Sequence, residues 1–100
     1  MVLKHCITDV STTRVHSEVK RWTSFIEAIG QLRTYNYQCP REELYAFMFD
    51  ETCGQSKIET AMDMFKSEGI KVFTFTTDKD KTSIIDMSTQ DVVFSIAYTV

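Results

Sequence analysis

The chain has 100 residues, 43% hydrophobic and 25% charged, with a formal net charge of −3. That is the composition of one small globular domain, so residues 1–100 are read as a single domain. It argues against a protein that coats nucleic acid by bulk charge, and no apolar run approaches the ~20 residues that span a bilayer.

In chain order, residues 2–8 read as a strand and Ser11-Thr12-Thr13 as a polar turn. Residues 14–20 then alternate, with Arg14, His16, Glu18 and Lys20 on one face and Val15, Ser17 and Val19 on the other. The two runs make a hairpin. Ser24-Phe25-Ile26-Glu27 has the form of a capping box opening a helix, whose stripe is Phe25, Ile29 and Leu32, widened by Ile26. The helix should fade near Asn36, and Pro40 forbids its continuation. Residues 44–49 suit a buried strand. A second capping box, Ser56 to Glu59, opens a helix with Ile58, Met62 and Phe65 on one face, and Gly69 stops it. Residues 71–76 alternate as a strand, 78–81 form a charged turn, and 82–87 and 92–99 are two further strands. The order is β-β-α-β-α-β-β-β, an α+β (α/β-like) fold with a mixed central sheet and two main helices.

Charge is uneven. Residues 1–40 carry +2 and residues 41–100 carry −5, so a polyanion contact is expected on the first 40. The three cysteines, Cys6, Cys39 and Cys53, show no zinc spacing, and reduced thiols are their simplest state. The opening residues lack the pattern of a signal peptide, so an intracellular location is expected. Small size and the apolar run at 92–100, read as an edge strand, lead us to expect a homodimer.

The residues that could carry chemistry lie on the hairpin. With 14 acidic residues among 100, composition alone supplies roughly one acid-x-Lys triplet, so Glu18-Val19-Lys20 means little by itself. Its placement means more. A spacing of two on a strand puts Glu18 and Lys20 on one face, and a hairpin brings Asp9 beside Glu18. Two close carboxylates repel one another, and a divalent cation relieves this; hard oxygen donors suit Mg²⁺ or Mn²⁺.

The stretch from Asp9 to Tyr35, with E-V-K on the strand and E-A-I-G-Q on the next helix, resembles the PD-(D/E)XK nuclease-like superfamily. The likeness is to its resolvase-like and restriction-endonuclease-like branch, found in phages and large DNA viruses, and covers roughly residues 3–76. It implies a restriction-endonuclease-like core and a small metal-dependent DNA nuclease, of viral origin and acting in the host cell's cytoplasm or nucleus, on branched or single-stranded DNA among other forms. By the resemblance, Asp9, Glu18 and the Val19 carbonyl would hold Mg²⁺ or Mn²⁺, Lys20 would be the catalytic lysine, and Gln31 would project into the same site. Arg14, His16, Arg21, Arg33 and Tyr35 would face the nucleic acid. Two departures stand out: Ile7-Thr8, not proline, precedes Asp9, and the acid-bearing helix that usually opens the family core has no counterpart in the eight residues before Asp9.

Three readings therefore compete. The first is an active nuclease. The second is a catalytically inactive module of the same fold that binds nucleic acid or a protein. The third is an unrelated α+β domain in which Glu18 and Lys20 form an ordinary surface ion pair. Trp22 is read as a packing residue before a base-stacking one.

Overall fold

The computed structural model describes residues 10–11, 14–78 and 81–97. Val10–Ser11 (β1) pairs antiparallel with Val15–Arg21 (β2). The expected strand at 2–8, together with Asp9, Thr12 and Thr13, lies outside the described residues. After a 3-10 turn at Trp22–Ser24 comes Phe25–Gln38 (α1), which leads to Glu43–Phe49 (β3). A second short turn, Glu51–Cys53, precedes Gln55–Ser67 (α2), and Ile70–Asp78 (β4), Lys81–Asp86 (β5) and Val92–Ala97 (β6) complete the chain order.

The six strands form one sheet in the order β1-β2-β3-β4-β5-β6. The β2–β3 and β3–β4 pairs are parallel and the others antiparallel, so the sheet is mixed, as expected. Each parallel pair is joined through a helix. Because β2, β3 and β4 progress in one direction across the sheet, right-handed crossovers put α1 and α2 on the same side. The core records this: Phe25, Ala28, Ile29 and Leu32 of α1 and Ile58, Ala61 and Phe65 of α2 join Ala46, Met48, Ile70 and Val72 in one apolar cluster. The partner residues across the ladders fix the helix-facing rows as His16–Leu44–Ile70, Glu18–Ala46–Val72 and Lys20–Met48–Thr74.

Helix boundaries differ from expectation in one respect, the caps. Ser24 is not extended and its side chain caps nothing, because the turn at Trp22–Ser24 runs directly into α1 and the Phe25 N–H is taken by the Trp22 carbonyl. Ser56 lies inside the first turn of α2, whose N-cap is Gly54. Ile26 does not widen the buried stripe; it is exposed. The C-terminal end of α2 is as expected. Gly69 has φ 71° and its N–H donates to the Lys66 carbonyl, a left-handed stop that glycine adopts without steric cost.

The link from β5 to β6 depends on one carboxylate. Asp86 accepts hydrogen bonds from the Ser88 N–H (2.9 Å) and hydroxyl (2.7 Å), and its main chain closes the turn with Gln90 and Asp91. The Ser88 hydroxyl, the Ser88 N–H and the nearby Lys71 ammonium outweigh burial and hold the Asp86 carboxyl below its ordinary pKa. A depressed folded pKa stabilises the fold above the unfolded value near ~3.9, and that contribution is lost as pH falls through the folded value. Acid titration of stability should therefore show a loss below about pH 4 that Asp86→Asn removes. Equal acid profiles for the two proteins would contradict it.

Candidate functional site

Alternation along β2 puts His16, Glu18 and Lys20 under α1, on the face shared with the apolar core. This is the reverse of a solvated polar strand face. Glu18 is 2% exposed and Lys20 25%; the Lys20 ammonium lies 3.8 Å from a Glu18 carboxylate oxygen and 3.2 Å from Glu27 on α1.

Two contacts set the register of α1 over β2. Lys20 meets Glu27, and the His16 ring meets that of Tyr35 with centroids 6.3 Å apart. Gln31 lies four residues from each of Glu27 and Tyr35, and Glu18 lies two from each of Lys20 and His16. Gln31 therefore stands at the level of Glu18 along the helix–strand seam. The Gln31 Oε1 atom is buried and has no hydrogen-bond partner among the described residues. A buried amide oxygen left in this state is costly, on the order of 1–3 kcal/mol, and is the one orphaned side-chain polar atom among the described residues.

The oxygens at this seam are hard donors of the kind Mg²⁺ and Mn²⁺ take. The Glu18 carboxylate and Gln31 Oε1 are oxygens of that kind; Val19 turns its side chain to the other face of the sheet, so only its main chain borders the seam. Asp9 lies outside the described residues. Among the described residues, no group of three or more His, Cys, Asp or Glu side chains is placed to hold a metal.

The expected nucleic-acid contacts separate. His16 is fully buried, its Nε2 is 2.6 Å from the Cys39 carbonyl, and it packs on Tyr35. It thus joins β2 to the end of α1, which corrects the expectation of a phosphate contact. Arg14, Arg21 and Arg33 are exposed but are paired with Glu42, Asp50 and Glu68 respectively, at three separate places on the fold, and make no common basic surface. The hydroxyl and N–H of Thr52, then Arg21, hold the Asp50 carboxyl below its usual value.

Cys39 is disulfide-bonded and Cys53 is free, so the expectation of reduced thiols throughout is corrected at Cys39. Spacing alone does not show which residues the fold brings beside Cys39. No helix is long and apolar enough to cross a membrane among the described residues.

Sequence reasoning missed one buried polar network. The Trp22 indole N–H donates to Thr74 Oγ1 at 3.3 Å, and that hydroxyl reaches the Met48 carbonyl at 3.1 Å and Glu51 at 3.3 Å. The residues come from the turn before α1, β4, β3 and the turn before α2, and no local pattern links them. Two concavities lie elsewhere. One of about 500 Å³ is bordered by Met62, Lys66 and Lys71, and one of about 290 Å³ by Gln55, Thr74 and Ile85; neither includes Glu18, Lys20 or Gln31.

Comparison with protein-family profiles, with curated proteins and with solved structures returned no match.

Proposed function

We propose that the chain is a nuclease-like protein that hydrolyses DNA phosphodiester bonds at the seam between β2 and α1. The observation that carries this reading is the Glu18–Lys20 pair facing the helix at the level of Gln31, whose side-chain oxygen is buried without a partner among the described residues. The resemblance of the same residues to the PD-(D/E)XK pattern supports it. Asp9, Glu18 and the Val19 carbonyl would hold Mg²⁺ or Mn²⁺, which supplies Lewis-acid polarisation of the phosphate and a water of lowered pKa. The chain's own residues do the rest. Glu18 gives a carboxylate fixed in place by burial. Lys20 holds a positive charge beside it, suited to the charge that develops on a phosphoryl oxygen. Gln31 offers a fixed amide to orient water.

The test is incubation of the purified chain with branched, single-stranded and duplex DNA in Mg²⁺ or Mn²⁺. Cleavage is expected, and Glu18→Gln should reduce it by about 10²–10³-fold. Cleavage that persists undiminished in Glu18→Gln protein would sink the assignment.

A second reading, the catalytically inactive module of that fold, is favoured by the burial of Glu18 beneath Lys20 and Glu27. In that position only 2% of the Glu18 side chain is exposed. DNA binding without cleavage under any of these conditions would select it.

A further inference from the structure

The cavity of about 500 Å³ between the C-terminal half of α2 and the start of β4 is separate from the seam of Glu18, Lys20 and Gln31. It exists because β5 stops short. β4 begins at Ile70, but its pairing with β5 begins only at Phe73. Past Asp86 the chain turns toward β6, held by the bond from the Asp86 N–H to the Asp91 carbonyl at 2.9 Å. Residues 70–72 therefore have β3 on one side and border the cavity on the other.

One hydrogen bond shows which backbone groups face that side. The Met87 N–H donates to the Val72 carbonyl at 3.0 Å, so Val72 directs its backbone polar groups away from β3. The N–H and C=O of one strand residue point to the same side, and the side alternates along the strand. The Val72 N–H and both backbone groups of Ile70 therefore point to the same edge. The Met87 carbonyl, which an antiparallel partner offers in return, accepts from the Gln90 side chain at 3.0 Å, and no return bond from the Val72 N–H forms among the described residues. Ile70 and Val72 are only 5% and 4% exposed, so these groups lie at the floor of the cavity. Backbone groups so shielded are normally paired.

We propose that this cavity binds an N-acylated apolar α-amino acid, either free or as the last residue of a peptide. The amide N–H of the ligand donates to the Ile70 carbonyl, and its carboxylate accepts from an N–H of the same edge, in the manner of an added strand. Its side chain lies on Met62, Ile70 and Val72, which border the cavity. Charge sets the acid group. The Lys71 ammonium is committed, 3.5 Å from Asp86 and over the Phe73 ring. The Lys66 ammonium borders the same space, makes no ion pair among the described residues and supplies the counter-charge. Asp63 and the negative C-terminal end of α2 oppose a second negative charge, which favours a carboxylate over a phosphate.

The test is titration of the isotope-labelled full chain with N-acetyl-leucine, followed through its backbone N–H resonances. Saturable shifts of the Ile70 and Val72 signals in the low-millimolar range are expected. N-acetyl-leucinamide, which lacks the charge, and Lys66→Met protein should each show binding weakened about 10-fold. Lys66 is exposed, so its replacement should leave the fold intact, and the leucinamide comparison uses the unaltered chain if the variant does not fold. N-acetyl-alanyl-alanyl-leucine that binds about 10-fold more tightly than N-acetyl-leucine assigns a peptide end, and equal or weaker binding assigns the free acid. Ile70 and Val72 signals that stay unshifted up to the solubility limit of N-acetyl-leucine overturn the proposal. So does equal binding of N-acetyl-leucine and N-acetyl-leucinamide, since the carboxylate would then play no part.

Discussion

Trp22→Ala is expected to cost about 3–5 kcal/mol of stability, enough to unfold much of a domain whose total is about 5–15 kcal/mol. Trp22 is fully buried where the turn before α1 meets the sheet, in the same cluster as Phe25, Met48 and Phe65. Truncation removes the largest apolar side chain of that cluster and leaves a cavity that residues from both helices and β3 cannot fill by small shifts. It also takes away the indole N–H from Thr74. Trp22→Phe separates the two effects: the ring volume is mostly kept and the donor is lost, for about 1–2 kcal/mol. Urea unfolding followed by circular dichroism checks both, since the chain's one tryptophan is itself the residue removed. A cost for Trp22→Ala below about 1 kcal/mol would contradict a buried Trp22.

The second large effect concerns Glu18 and Lys20. Removing one partner of a buried ion pair leaves the other charge stranded, at about 3–5 kcal/mol when both are fully buried. Lys20 is 25% exposed and shares its ammonium with Glu27, so solvent screening reduces the expected cost of Lys20→Met to about 1–3 kcal/mol. Glu18→Gln keeps the size and one oxygen without the charge, and should cost less. In the double variant the stranded charge is gone, so the two costs should fall short of adding by about 1 kcal/mol. Additive costs would mean that Lys20 acts through Glu27 alone. The cycle also distinguishes function from packing: Glu18→Gln should keep the fold while losing metal-dependent cleavage, a combination that a purely structural Glu18 would not give.

Much of the architecture was legible because it is written in local periodicity. The strands at 14–20, 44–49, 71–76 and 82–87 appear within a residue or two, and the helix stripes through Phe25, Ile29 and Leu32 and through Ile58 and Phe65 are the buried ones. The caps were less legible. A serine three residues before a glutamate is a capping box only if the serine is extended, and at Ser24 the preceding turn, anchored by the buried Trp22, already holds the chain in a tight coil. Ile26 failed for a related reason. A hydrophobic stripe says which side is apolar, but how wide a side the sheet covers depends on where the helix sits over β2 and β3.

The candidate site divides along the same line. That Glu18 and Lys20 share a face of a strand, and that Gln31 follows on a helix, is determined by the sequence, because the period of two is a property of the backbone alone. Which face lies inside is not. Alternation offers a polar row, His16–Glu18–Lys20, and a mixed row, Val15–Ser17–Val19, and composition favours burying the second. The chain buries the first, because consecutive right-handed crossovers from β2 to β3 to β4 bring both helices onto that side, and the Lys20–Glu27 ion pair and the contact of His16 Nε2 with the Cys39 carbonyl then give their polar atoms partners there. The same choice leaves Phe47, Phe73 and Phe75 on the face opposite both helices. Local pattern thus determined the elements and the rows of side chains, while the handedness of long-range connections decided which row packs beneath the helices and which faces away from them.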